Sequence, residues 1–198
     1  MKKIIKYTSI VLTSAAIVAL PVFSASAETS NTVITATIGS TISVQSTSNV
    51  ALNINPTATQ AKASSGKATV TVSTNNATGY NLKIGMNGAD RNLNKATDNI
   101  TAHAGTLAAP TALANNTWGY RVENVGGFNA GNITPENNVN DLAGTFAGVP
   151  AQNAEDQIKN HNAAVQSNTT DVLFGAKVDA TKPSGAYTGT VVFTATAN

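Results

Sequence analysis

Val70-Thr71-Val72-Ser73-Thr74-Asn75-Asn76-Ala77-Thr78-Gly79-Tyr80-Asn81-Leu82-Lys83-Ile84-Gly85-Met86 decides the class of fold. Apolar residues fall at 70 and 72, then at 80, 82, 84 and 86, with Thr, Ser, Asn and Lys between them. A period of two turns alternate side chains to opposite faces of a strand, so one face is buried and the other wet. Asn75, Asn76 and Gly79 interrupt the alternation with turn chemistry, since Asn side chains mimic a backbone turn and Gly takes positive φ at no steric cost. The two runs are expected to pair as a hairpin with a loop of about five residues.

The same period extends outward in both directions. Ile34, Ala36, Ile38, Ser40, Ile42 and Val44 share one face of a run from Val33 to Val44, and Val50, Leu52 and Ile54 follow before Pro56. Further on, Trp118, Tyr120 and Val122 alternate, then Val172, Phe174, Ala176 and Val178, then Tyr187, Val191 and Phe193 opposite Thr188, Thr190 and Thr194. Weaker strand candidates lie near Ile100 and Ile158. Residues 87–116 and 124–168 are rich in Asn and Ala and read as long loops at one end of the fold. Ala154 to Ala164 carries a thin apolar stripe that fits a short helix. Short strands separated by turn signals predict an all-β protein. The expectation is an Ig-like or fimbrial-type antiparallel β-sandwich with long Asn-rich loops, a closed barrel being the other arrangement with this period.

The N-terminus addresses the compartment. Lys2, Lys3 and Lys6 precede an apolar stretch from Ile10 to Phe23, and Ala25-Ser26-Ala27 offers small residues to a signal peptidase. Residues 1–27 are therefore expected to be a secretory signal peptide, and 28–198 a single β-sandwich domain. The stretch is shorter than the ~20 apolar residues of a spanning helix, so the membrane enters only before cleavage. Removing 1–27 leaves nine Lys and Arg against ten Asp and Glu, a net charge of −1 in place of the +2 of the full chain. The remaining cations are scattered singly, which argues against nucleic-acid partners. The chain has no cysteine, so its export is not accompanied by disulfide staples. It shows neither a Leu-Pro-x-Thr-Gly sorting signal nor a cysteine at the cleavage site. The expected localisation is secreted or extracellular, with retention at the cell surface by non-covalent association.

Three blocks carry a resemblance: Val72-Ser73-Thr74-Asn75-Asn76-Ala77-Thr78-Gly79-Tyr80, Leu113-Ala114-Asn115-Asn116-Thr117-Trp118-Gly119-Tyr120, and the C-terminal run from Pro183 to Ala195. Together they resemble a group of uncharacterised secreted β-sandwich surface proteins of small-genome episymbiotic bacteria. The run Pro183-Ser184-Gly185-Ala186-Tyr187 followed by alternating Thr and apolar residues, with the segment Thr32 to Ile54, is also similar to fimbrial-type and spore-coat-U-like domains. The resemblance implies a surface or envelope component and brings no activity with it.

Few residues carry chemistry. His103 and His161 are the only histidines, and neither has zinc-ligand spacing. They are expected to be solvated loop residues. Glu123, Glu136, Glu155 and Asp156 are the carboxylates near loops of the second half, and a glycosidase would need two of them facing each other across a cleft. No Gly-x-Ser-x-Gly elbow or phosphate-cradling loop is present. Asp90, Asn92, Asn94 and Asp98 occupy positions 1, 3, 5 and 9 of a calcium-loop pattern, but Lys95 replaces the Gly of position 6 and Thr101 the Glu of position 12. They form a weak calcium candidate, with an Asx-turn loop as the plainer expectation. Sequons begin at Asn76, Asn99, Asn115, Asn132 and Asn168. Trp118 and Tyr120 would serve as a sugar-stacking platform only if exposed, and their register with Val122 predicts burial instead. Tyr187 is expected in the core with its hydroxyl on nearby backbone.

With no catalytic set, no metal centre and no cofactor expected, the chain reads as a non-catalytic surface structural or adhesion-type protein. Its expected partners are other envelope or surface proteins, or a second copy of itself. A secreted carbohydrate-binding module is the alternative. Val33 to Val44 carries no Lys or Pro, the residues that discourage pairing at a sheet edge, so it is the candidate strand for association.

Overall fold

The computed structural model describes residues 29–128 and 134–198; the expected signal peptide and Asn132 lie outside the described residues. The chain divides into two compact units, Met1–Thr37 and Ile38–Asn198. The described part of the first, residues 29–37, forms no strand and is exposed throughout.

The second unit is built of strands, with no helix among the described residues. In chain order they are β1 (Ile42–Ser46), β2 (Lys62–Thr74), β3 (Tyr80–Met86), β4 (Leu93–Lys95), β5 (Asp98–Ala102), β6 (Thr117–Val122), β7 (Asp156–His161), β8 (Val165–Val178) and β9 (Val191–Ala197). A six-stranded sheet runs β1-β2-β8-β6-β5-β4, and a three-stranded sheet runs β7-β3-β9. All pairings are antiparallel except β5 with β6. The two sheets pack face to face as a β-sandwich. The long pair β2–β8 is its spine, in register from Lys62↔Val178 to Val72↔Asn168.

The alternation read from the sequence fills the interior. Val70 and Val72 of β2, Leu82 and Ile84 of β3, Trp118 and Tyr120 of β6, Ile158 of β7, and Val172 and Phe174 of β8 belong to one buried cluster. Val50, Leu52 and Ile54 pack against it without joining a ladder. A second, smaller cluster of Ala63, Leu113, Leu142, Phe146 and Leu173 covers the outer face of the six-stranded sheet. The segment 136–147 supplies that cover. It pairs with the edge of β2 through Ala63 and Val139 (N···O 2.8 and 2.9 Å) and with the edge of β6 through Tyr120 and Ala147 (2.7 and 2.9 Å). Between these anchors it lays Leu142 and Phe146 over Gly175 of β8.

Four expectations are corrected. The runs 70–73 and 80–86 do not form a hairpin: β2 pairs with β1 and β8, and β3 with β7 and β9, in opposite sheets. Periodicity determines which residues face inward, and it is silent on which strand satisfies the backbone. Here the inward faces meet across the interior, and 75–79 passes between the sheets. Gly79 has φ +81°, and a Cβ there would meet the His161 carbonyl oxygen at 1.8 Å, so only Gly fits. The Val33–Val44 run is a strand only from Ile42; Val33, Ile34 and Ile38 are 87, 88 and 86% exposed. Ala154 to Ala164 is no helix but holds β7, whose backbone finds a partner in β3. The two stretches expected as loops at one end contain β4, β5, β7, the start of β8 and the outer cover.

Candidate functional site

The calcium candidate uses its oxygens internally. Asp90 accepts from the backbone N–H of Asn92 (3.0 Å) and from Asn94 Nδ2 (2.7 Å), which makes an Asx turn. Those bonds hold the Asp90 carboxyl below the usual value. Asn92 Oδ1 accepts from the N–H of Ala102 (3.3 Å), which ties the loop to β5. Asp98 accepts from Lys182 Nζ (3.1 Å), the Asn99 N–H (2.7 Å) and the Tyr187 hydroxyl (3.0 Å). Lys182 is the main reason its carboxyl titrates low. Two separate structural knots therefore replace one converging ligand set. Among the described residues no three His, Cys, Asp or Glu side chains gather as a metal cluster.

Of the four carboxylates near loops of the second half, three are similarly engaged. Asp156 accepts the Tyr120 hydroxyl (2.7 Å), Glu136 the Ala143 N–H (2.9 Å) and Glu155 the Asn153 N–H (3.0 Å). Burial and the Asp156 carboxylate push the Tyr120 phenol far up. His103 is no solvated loop residue. It is 3% exposed, with ring nitrogens 3.2 Å from Thr117 Oγ1 and 2.8 Å from Thr111 Oγ1. Burial pushes its pKa down, because a charged ring would be stripped of water. A histidine beside Thr-bearing strand ends carries no marker in sequence that separates it from a wet one. His161 lies on β7, its ring tilted 34° against Tyr80 at 5.8 Å.

Trp118 is 3% exposed, packed beside Phe174 at 6.5 Å between centroids, and its indole N–H donates to the Arg91 carbonyl (2.9 Å). Tyr120 is fully buried and meets Phe128 edge-on. Neither offers a stacking face to a sugar. Tyr187 is half-buried, and its hydroxyl proton is shared between Asp98 and the Pro183 carbonyl four residues upstream (2.8 Å), the latter being the nearby backbone expected of it. Of the described sequons, Asn115 is exposed, whereas Asn76, Asn99 and Asn168 are half-buried; Asn76 Nδ2 is further tied to the Gly79 carbonyl, and Asn168 Oδ1 accepts from the Tyr80 hydroxyl.

Two surface features remain. The first is the uncharged segment 29–41 leading into β1, which closes one edge of the larger sheet and, among the described residues, pairs with β2 alone. Ile42 and Val44 are themselves 37 and 38% exposed. The second is an open cleft of about 690 Å³ where the edge strand β7 stands beside β6 and β8. Val122, Ile158 and Val125 form its apolar part; Glu123, Lys159, Asn160 and Thr170 are among its polar lining. Sequence reasoning missed this cleft. Its residues come from three segments that the sheet topology alone brings together, and Thr170 reads as one more Thr in a Thr-rich chain. Comparisons with family models, curated proteins and solved structures find no match to the chain.

Proposed function

We propose that this chain is a secreted, non-catalytic surface protein of structural or adhesive type, acting through contacts made by its sandwich with other envelope proteins and with copies of itself. The observation that carries this reading is the placement of Val33, Ile34 and Ile38, the three most exposed large hydrophobics among the described residues. They sit on one uncharged stretch that runs into an edge strand. Such edges are ordinarily blunted with Lys, Pro or a covering element, because their unpaired backbone recruits another strand. Here β-branched residues with high strand propensity continue the edge, so a partner strand gains both ladder hydrogen bonds and apolar burial. The carboxylates bonded within the fold fit a scaffold better than a reaction centre.

Sedimentation of the purified chain tests this. Concentration-dependent association is expected, lost in the double variant Ile34→Asp with Ile38→Asp and in Thr37→Lys while the thermal midpoint is kept. A wild-type protein that stays monomeric at every concentration, and binds no envelope fraction, contradicts the reading.

A further inference from the structure

We propose that Asn87-Gly88 is a self-modifying site, where Asn87 loses ammonia through a succinimide ring closed by the Gly88 backbone nitrogen. It is the one Asn-Gly pair in the chain. Gly has no Cβ to hinder the approach of its own nitrogen, so this pair closes the ring more readily than any other Asn-x pair. The fold leaves both reacting groups unengaged. The Asn87 side chain is exposed and makes no hydrogen bond among the described residues. Asn75, Asn76, Asn94, Asn116 and Asn198, by contrast, tie theirs to the fold. The Gly88 N–H also donates to nothing among the described residues, so the attacking nitrogen has no bond to break. Gly88 has φ +135°, and a Cβ built on it would meet nothing within 4 Å. The ring therefore closes in open space.

The reaction needs only water. The Gly88 nitrogen gives up its proton and bonds to Asn87 Cγ; the Cγ–Nδ2 bond breaks, and Nδ2 leaves as ammonia. Water then opens the ring. Attack at Cγ gives aspartate, and attack at the backbone carbonyl carbon gives isoaspartate, whose chain runs through Cγ. Either product adds one negative charge. The position is a corner of the smaller sheet. The Asn87 N–H donates to the Thr190 carbonyl just before β9 (2.9 Å), and the Gly88 carbonyl accepts from the Gln152 N–H (2.9 Å). Isoaspartate places one more backbone atom between these two anchors, so it loosens the bond from 152. The site shares no residue with the segment 29–41 and stands whether or not that segment associates.

The test is incubation of the folded chain at neutral and mildly alkaline pH, followed by tryptic digestion and mass spectrometry. Cleavage after Lys83 and Arg91 isolates residues 84–91. That peptide is expected to yield two later forms, each heavier by the exchange of an amide for a carboxyl, one of them a substrate for an isoaspartyl methyltransferase. Conversion is expected to be roughly tenfold or more faster than in peptide 68–83, which carries Asn75, Asn76 and Asn81. Asn87→Gln is expected to abolish the acidic form on isoelectric focusing with the thermal midpoint kept. In the isoaspartyl form the Gln152 amide is expected to exchange faster. An intact 84–91 in the folded chain, while a synthetic peptide of the same residues converts, overturns the proposal. Equal conversion in 68–83 overturns it too, as does an acidic form that persists in Asn87→Gln.

Discussion

Trp118 joins three parts of the fold at one side chain. Its ring packs on Phe174 of β8, its backbone pairs with Ala176, and its indole N–H fastens the 91 carbonyl. Trp118→Ala is expected to destabilise by about 3–5 kcal/mol, and Trp118→Phe by about 1 kcal/mol, the worth of one hydrogen bond; urea unfolding separates the two. His103 sets a pH dependence with a definite sign. Its pKa in the folded protein lies below the 6.5 of a free ring, so the folded state binds a proton less readily than the unfolded chain. Its contribution is complete above pH about 6.5 and is lost as pH falls below that value. Asp98, held down chiefly by Lys182, and Asp171, held down chiefly by Thr69, act lower. Their contribution is present above the ordinary 3.8 and is lost as pH falls further, through their lowered folded values. The thermal midpoint is therefore expected to fall in two stages on acidification. The first stage should be absent from His103→Gln; a first stage of the same size in that variant would assign it elsewhere.

Among the elements, the outer cover 136–147 does more than its loop-like composition announces. Phe146 is fully buried over β8, and Phe146→Ala is expected to cost about 3–5 kcal/mol. Gly119 on β6 lies so close to this cover that a Cβ would meet the Ala147 carbonyl oxygen at 2.3 Å. Gly119→Ala is expected to push the cover off its Tyr120 pairing at a cost of about 1–3 kcal/mol, visible as faster proteolysis within 134–149. Wild-type cleavage rates in that variant would refute the role given to the cover. The β4–β5 hairpin gives the opposite expectation for calcium. Asp90 and Asp98 are bonded to different neighbours, so the midpoint with excess calcium and with chelator should coincide. A calcium-dependent rise abolished by Asp90→Ala would show that the loop binds the ion.

At the scale of the whole molecule, the sandwich class and its inward-facing residues were legible because Val, Ile, Tyr and Phe recur every second position in β2, β3, β6 and β8. What was not legible is pairing. The longest ladder of β2 is with β8, about a hundred residues further along the chain, and no local pattern encodes that distance. Residues 156–161 bury only Ile158 fully, so β7 has almost no period of its own and exists because β3 offers it a ladder. Thr170 and its cleft follow from this pairing and were invisible for the same reason. The segment 33–38 shows the converse: a strand pattern in the sequence where the structure forms no strand. That mismatch is the basis of the proposed association, and amide hydrogen exchange reads it directly. Exchange is measured along residues 33–46 at low and at high protein concentration. The account predicts rapid exchange at 33–41 in dilute solution and protection of 33–46 at high concentration, with no change in the interior of β2 or β8. Equally rapid exchange at 33–41 at every concentration would contradict it.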